Sequence, residues 1–121
     1  MTDTFPNHET DAELVISAIG DLNRLAAVAI IGRHVADLAT ACAVKLGLYA
    51  EVETDRDLAE ARILIEALAG LIDGAAPHSG THATTLRETL RQLQQAFRHY
   101  SLIQDEPGTA PGERYTGYVS P

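Results

Sequence analysis

The chain has 121 residues, room for one small domain, and 45% of them are hydrophobic, a proportion that argues against wholesale disorder. Aromatics make up 5% and tryptophan is absent, so the core must be built from Leu, Ile, Val and Ala, which suits closely approaching helices better than sheets. The net charge of −8 argues against a general nucleic-acid binder, and the single cysteine, Cys42, rules out an internal disulfide or a cysteine-based zinc site within one chain.

The N-terminus "MTDTFPNHETDAEL" is polar and acidic and lacks the basic and apolar regions of a signal peptide. The uncharged apolar run Leu25 to Gly32 is far shorter than the ~20 residues a bilayer span needs. The expectation is a soluble cytoplasmic protein with no membrane partner. Residues 1–22 read as a flexible or partly helical arm. Within it "DAELVISAIG" suits a short helix with Leu14, Ala18 and Leu22 on one side, weakened by Gly20.

The three-helix domain is placed at 23–103, with helices near 24–46, 56–73 and 82–103. Asn23 is read as the cap of the first, and Gly47 as its end, with Lys45 suiting the negative end of the helix dipole. This helix carries two seams about 100° apart. Val28, Ile31, Val35, Leu38 and Cys42 form a large one. Ala29, Gly32, Ala36, Ala39 and Ala43 form a small one, read as a seam for a homodimer because a second helix can approach it closely. Arg33 and Asp37 sit four apart on the third side, where they can pair.

An acidic connector, "YAEVETD", leads to the second helix. Asp55 is read as its cap, with Asp57 and Glu60 in or near the first turn. Leu58, Ala61, Ile65, Leu68 and Ile72 make its seam, widened by Leu64 and Leu71, and Gly74 is expected to stop it. The acids Glu51, Glu53, Asp55, Asp57 and Glu60 lack the glycine and alternating ligands of a calcium loop, so they are read as a solvated connector and cap.

The turn-rich "GAAPHSGT" precedes the third helix, with Ser79 or Thr81 as candidate caps. Its seam is Ala83, Leu86, Leu90, Leu93, Phe97 and Tyr100. Beside it Arg87, Arg91, Gln94 and Arg98 fall within about 60° of a helical wheel. Arg87, Arg91 and Arg98 are the candidate contacts for phosphates or another anionic partner. Pairing with Glu60 or Glu66 is the plainer alternative.

Residues 104–121 form a Pro/Gly-rich tail, with three prolines and three glycines in the last 15 residues. It is expected to be flexible. It also carries Tyr115 and Tyr118, half of the tyrosines, so Arg114, Tyr115 and Tyr118 are read as a docking segment. Four histidines, His34, His78, His82 and His99, stand in no metal-binding motif, and Cys42 lies on an apolar seam where packing is its expected role. No phosphate loop, nucleophile elbow, dinucleotide fingerprint or catalytic dyad occurs. The expectation is no metal, no cofactor and no enzyme.

"ACAVKLGL", "DRDLAEARILIEALAGL", "TLRETLRQLQQAFR" and "PGTAPGERYTG" together resemble an actinobacterial branch of a small helical family known as domain of unknown function 1844. The resemblance runs over about residues 25–118. It is most specific at Lys45-Leu46-Gly47-Leu48, at the run Asp57 to Arg62 with Ile65, and at Pro111-Gly112-Glu113 with Tyr115-Thr116-Gly117. Leu25-Ala26-Ala27 stands where that branch often opens the helix with proline. The resemblance implies no activity. It does imply association with genes for translation initiation factor three and ribosomal proteins. The overall expectation is an all-α, non-enzymatic protein-interaction module, a three-helix antiparallel bundle or helical hairpin array that forms a homodimer. The alternative is an accessory factor touching the translation apparatus or RNA through the third helix.

Overall fold

The computed structural model describes residues 10–49 and 55–121, and within them every regular element is helical. The arm before Thr10 and the acids Glu51 and Glu53 lie outside the described residues. In chain order the helices are α1 (Asp11–Arg24), α2 (Ala27–Lys45), α3 (Leu58–Ala75), α4 (Ala83–Tyr100) and the single turn α5 (Glu113–Thr116), with two 3₁₀ turns, Ala76–His78 and Gly80–His82, leading into α4.

The core is shared by α2, α3 and α4. Val35, Cys42 and Ala43 from α2 meet Ala61, Ile65, Leu68, Ala69 and Ile72 from α3 and Leu90, Leu93 and Phe97 from α4. Ile31, Leu38, Leu58, Leu64, Leu71 and Leu86 pack around them. Apart from Ala43, from the small seam, and Ala69, from no expected seam, these are residues of the large seams expected from the helical periodicity, and each large one removed from water adds roughly 1.5–3 kcal/mol of hydrophobic stabilisation. α2 is also long and apolar enough to cross a membrane by length and composition.

The helix ends show where local chemistry prevails. Gly47 closes α2 with φ +75, the Leu48 N–H donates to the Ala43 carbonyl at 3.0 Å, and the Gly47 N–H donates to the Val44 carbonyl at 3.0 Å. A left-handed glycine beyond the last turn permits that closure without a Cβ clash. Asp57, not Asp55, caps α3: its Oδ1 accepts from the Glu60 N–H at 3.1 Å. Gly74 does not stop α3. It lies inside the helix, which runs on to Ala75, because a glycine there needs no left-handed conformation.

Asn23 does not cap a helix either. It falls inside α1, whose cap is Thr10, and α2 starts after Ala26 without a side-chain cap. Neither Ser79 nor Thr81 caps α4; the Ser79 hydroxyl turns back to donate to the Ala75 carbonyl at 2.7 Å. α4 ends at Tyr100, the last residue of its seam and short of the expected 103, and leaves Leu102 and Ile103 fully or nearly fully exposed.

The largest departure is at the C-terminus. A flexible tail is the expectation from its prolines and glycines, yet Ala110, Pro111, Gly112, Glu113 and Val119 are buried. The segment is folded onto α3 and α4 because its polar groups find partners there.

Candidate functional site

The C-terminal segment is held by a buried ion pair. Arg98 Nε donates to Glu113 Oε2 and Nη2 to Glu113 Oε1, both at 2.7 Å, with the side chains 3% and 0% exposed. The other guanidinium hydrogens reach Gln104 Oε1 and the carbonyls of Asp105 and Glu106. All five Arg98 donors are thereby used. Glu113 in turn accepts from the backbone N–H groups of Gly108 at 2.9 Å and Val119 at 3.1 Å. Burial alone would raise the Glu113 carboxyl, but the hydrogen bonds from Arg98, Val119 and Gly108 and the Arg98 charge outweigh it and hold it below the usual carboxylate range.

Two further fastenings flank this pair. Glu66 on α3 accepts from the Gly112 N–H at 2.7 Å and from Arg114 Nε at 2.5 Å. Gln94 Nε2 donates to the Pro111 carbonyl at 3.1 Å and to Thr116 Oγ1 at 3.0 Å. The basic stripe expected on α4 is therefore divided. Arg98 is a buried structural residue and not a contact for an anionic partner. Arg91 pairs with Glu88, whose carboxyl that hydrogen bond holds below its usual range. Arg87 is exposed and makes neither an ion pair nor a hydrogen bond among the described residues. Glu60 and Glu66 are not the partners of this stripe, since Glu66 is taken by the tail.

Folding of the tail creates a cleft of about 520 Å³ between α3, α4 and the chain end. Arg87 and Arg91 stand on one side of it, and Tyr115 and Tyr118 are on the tail side. The structure thus gathers residues that sequence spacing kept in two separate groups. Tyr118 also lies over the Arg98 guanidinium, 4.7 Å from ring centroid to Cζ, and Arg114 lies over Tyr115 at the same distance. Two participants were not singled out in the sequence, Asp73 on α3 and Gln94 as a buried residue. Asp73 carried no motif signal. Gln94 was visible only as the one uncharged member of the arginine stripe.

A second surface lies at the opposite end of the chain. α1 buries no residue. Leu14, Val15, Ile16, Ile19 and Leu22 are 50–67% exposed. On a helical wheel Leu14, Val15, Ala18, Ile19 and Leu22 fall within about 140°, with Glu13, Ser17, Asp21 and Arg24 opposite. The small seam of α2 is split. Ala43 is spent in the core and Gly32 and Ala39 are half-buried, while Ala29 and Ala36 are exposed. Its first half, Ala29 and Gly32, forms with Ala26, Val28 and Leu86 an apolar groove of about 520 Å³ beside the end of α1.

Among the described residues no group of three or more His, Cys, Asp and Glu side chains converges as a metal site. Cys42 is buried, and burial pushes its thiol up to about 12.

Residues 29–99 match the family described as "Domain of unknown function (DUF1844)". No curated protein and no solved structure matches the chain.

Proposed function

The chain belongs to the DUF1844 family, and we propose that it acts as a helical protein-interaction module with no reaction of its own, assembling as a homodimer through α1 and the first half of α2. One observation carries this reading. α1 is amphipathic, and its five large apolar residues contribute nothing to the core of their own chain. Contiguous apolar surface of that kind marks an interaction face.

Charge narrows the class of partner. The polar side of α1 carries Glu13 and Asp21, Asp11 adds a third carboxylate in the first turn, and Arg24 is paired with Asp21 at 2.5 Å. Such a face is repelled by anionic lipid headgroups and by phosphates, whereas membrane-surface helices carry Lys and Arg there. A protein surface is the compatible partner. A second copy supplies one directly, because the groove beside Ala29 and Gly32 is mostly apolar and includes the small residues Ala26, Ala29 and Gly32. The alternative through RNA loses support on α4, where Arg98 is buried and Arg91 is paired with Glu88.

The test is sedimentation velocity on the wild type and on Ile19→Glu/Leu22→Glu at micromolar concentration. Both positions are exposed, so the fold does not depend on them. The wild type should sediment as a dimer and the variant as a monomer with unchanged helicity. A wild-type monomer at these concentrations overturns the dimer.

A further inference from the structure

The cleft between α3, α4 and the tail is lined by no residue of α1 and asks for a different ligand. We infer that it binds a small ligand bearing one carboxylate, an aliphatic body and a neighbouring N–H, the chemistry shared by a free acylamino acid and the C-terminal residue of a peptide.

Arg87 supplies the anchor. Its guanidinium is exposed on the cleft wall and makes no ion pair or hydrogen bond among the described residues. Arg91, one turn further, is already engaged by Glu88. One planar guanidinium matches one carboxylate through two parallel hydrogen bonds. The lining includes the aliphatic Ile72, Leu90 and Val119 together with the more exposed rings of Tyr115 and Tyr118, so the adjoining wall is largely apolar. The volume of about 520 Å³ is that of a small-molecule pocket.

Two polar groups shape the choice further. Gln94 lines the cleft and is 3% exposed, and its Oε1 is buried without a hydrogen-bond partner. Its Nε2 donates to the Pro111 carbonyl and Thr116 Oγ1, which fixes the amide with Oε1 as the idle acceptor. An idle buried acceptor is costly, and a ligand N–H is the group that satisfies it. Asp73 also lines the cleft. A carboxylate beside a single free arginine disfavours polyanions, which need several cations in a row. It leaves room for one negative charge held at Arg87.

The experiment titrates the isotope-labelled full chain with N-acetyl-L-leucine and follows backbone amide resonances. Three controls accompany it. N-acetyl-L-leucinamide lacks the carboxylate, 4-methylpentanoate lacks the N–H, and inorganic phosphate lacks the aliphatic body. N-acetyl-L-leucine should give saturable shifts centred on Arg87, Leu90 and Val119. The amide should bind at least about tenfold more weakly, as expected for loss of a charge-assisted hydrogen bond. 4-methylpentanoate should bind a few-fold more weakly, and phosphate should not saturate. Arg87→Ala should abolish the shifts with an unchanged melting temperature, and Asp73→Asn should tighten binding. A pentapeptide ending in leucine separates the two sources: tighter binding than N-acetyl-L-leucine assigns a peptide terminus, weaker binding a free acylamino acid. Equal shifts from acid and amide, absence of saturation, or shifts that survive Arg87→Ala overturn the inference. Those outcomes leave association through α1 untouched, since no residue of α1 lines the cleft.

Discussion

Arg98 near the end of α4 and Glu113 at the start of α5 form a two-pronged ion pair, both contacts at 2.7 Å, with neither side chain reaching solvent. The pair closes a loop of 15 residues and fastens a segment that has little apolar surface of its own. Removing one partner leaves a buried, uncompensated charge, which costs about 3–5 kcal/mol. Glu113→Ala should therefore destabilise the protein by about that amount in urea unfolding. The double variant Arg98→Met/Glu113→Leu should recover only part of the loss. The carbonyls of Asp105 and Glu106 and the N–H groups of Gly108 and Val119 would still lack partners. Deleting residues 107–121 should lower the melting temperature as well, whereas a solvated tail could be removed without effect.

Acid should release the same fastening. Glu113 titrates below its ordinary value of 4.5 in the folded chain. A carboxyl depressed by folding adds stability above its unfolded pKa and loses it as pH falls through the folded one. Thermal melts should be nearly flat from about pH 7 to pH 5 on this account and decline below about 4.5. Glu113→Gln should start lower and show a shallower acid decline. Parallel pH profiles for variant and wild type would show that other carboxylates govern the acid limb.

Gly112 and Gly74 should respond in opposite ways to alanine. Gly112 has φ +77, and a Cβ there would stand 2.9 Å from both Ala69 Cβ and Gln94 Nε2. Left-handed strain and overpacking together should cost roughly 2–4 kcal/mol. Gly74 lies within α3, and a Cβ there would meet nothing within 4 Å. Gly74→Ala should stabilise by about 0.5–1 kcal/mol through helix propensity alone. Urea midpoints that move the same way for both would contradict the tail placement.

Cys42 should be chemically silent. Its side chain is fully buried, its Sγ lies 4.0 Å from the Ala61 carbonyl, and burial pushes the thiol up to about 12. The thiolate is the reactive form, so at about pH 8 a thiol reagent should label the protein only after denaturation. Fast labelling of the folded chain would place Cys42 outside the core.

Several elements were legible because their causes are local. The seams Leu58–Ala61–Ile65–Leu68–Ile72 and Leu90–Leu93–Phe97 follow from helical periodicity, and each of their residues is buried or packed against the core. Gly47 ends α2 for a backbone reason that needs no knowledge of the rest of the chain. The caps were less legible. Asp55 and Asp57 are two residues apart, and both are good caps; in the fold the Asp57 N–H is tied to the Lys45 carbonyl at 2.7 Å, a tertiary contact the sequence does not reveal.

The candidate sites were legible as residue types and illegible as places. Arg87, Arg91 and Arg98 share one helical face in sequence, yet one is exposed without a partner among the described residues, one is paired along its own helix, and one is buried. What separates them is Glu113, 15 residues beyond Arg98 in a segment whose composition reads as a solvated tail. Composition reports apolar area, and that segment has little. It folds because a charge pair, a glycine at φ +77 and a few backbone hydrogen bonds find complementary groups on α3 and α4. The small seam of α2 is divided in the converse way: its spacing is regular, but packing in the core buries Ala43 and spares Ala29. The sequence by itself determined helix type, approximate helix length and the apolar faces, because those depend on interactions within one or two turns. Tertiary structure decided which charges are buried, where the tail lies and which apolar face stays open, because those depend on groups brought together only when the chain packs.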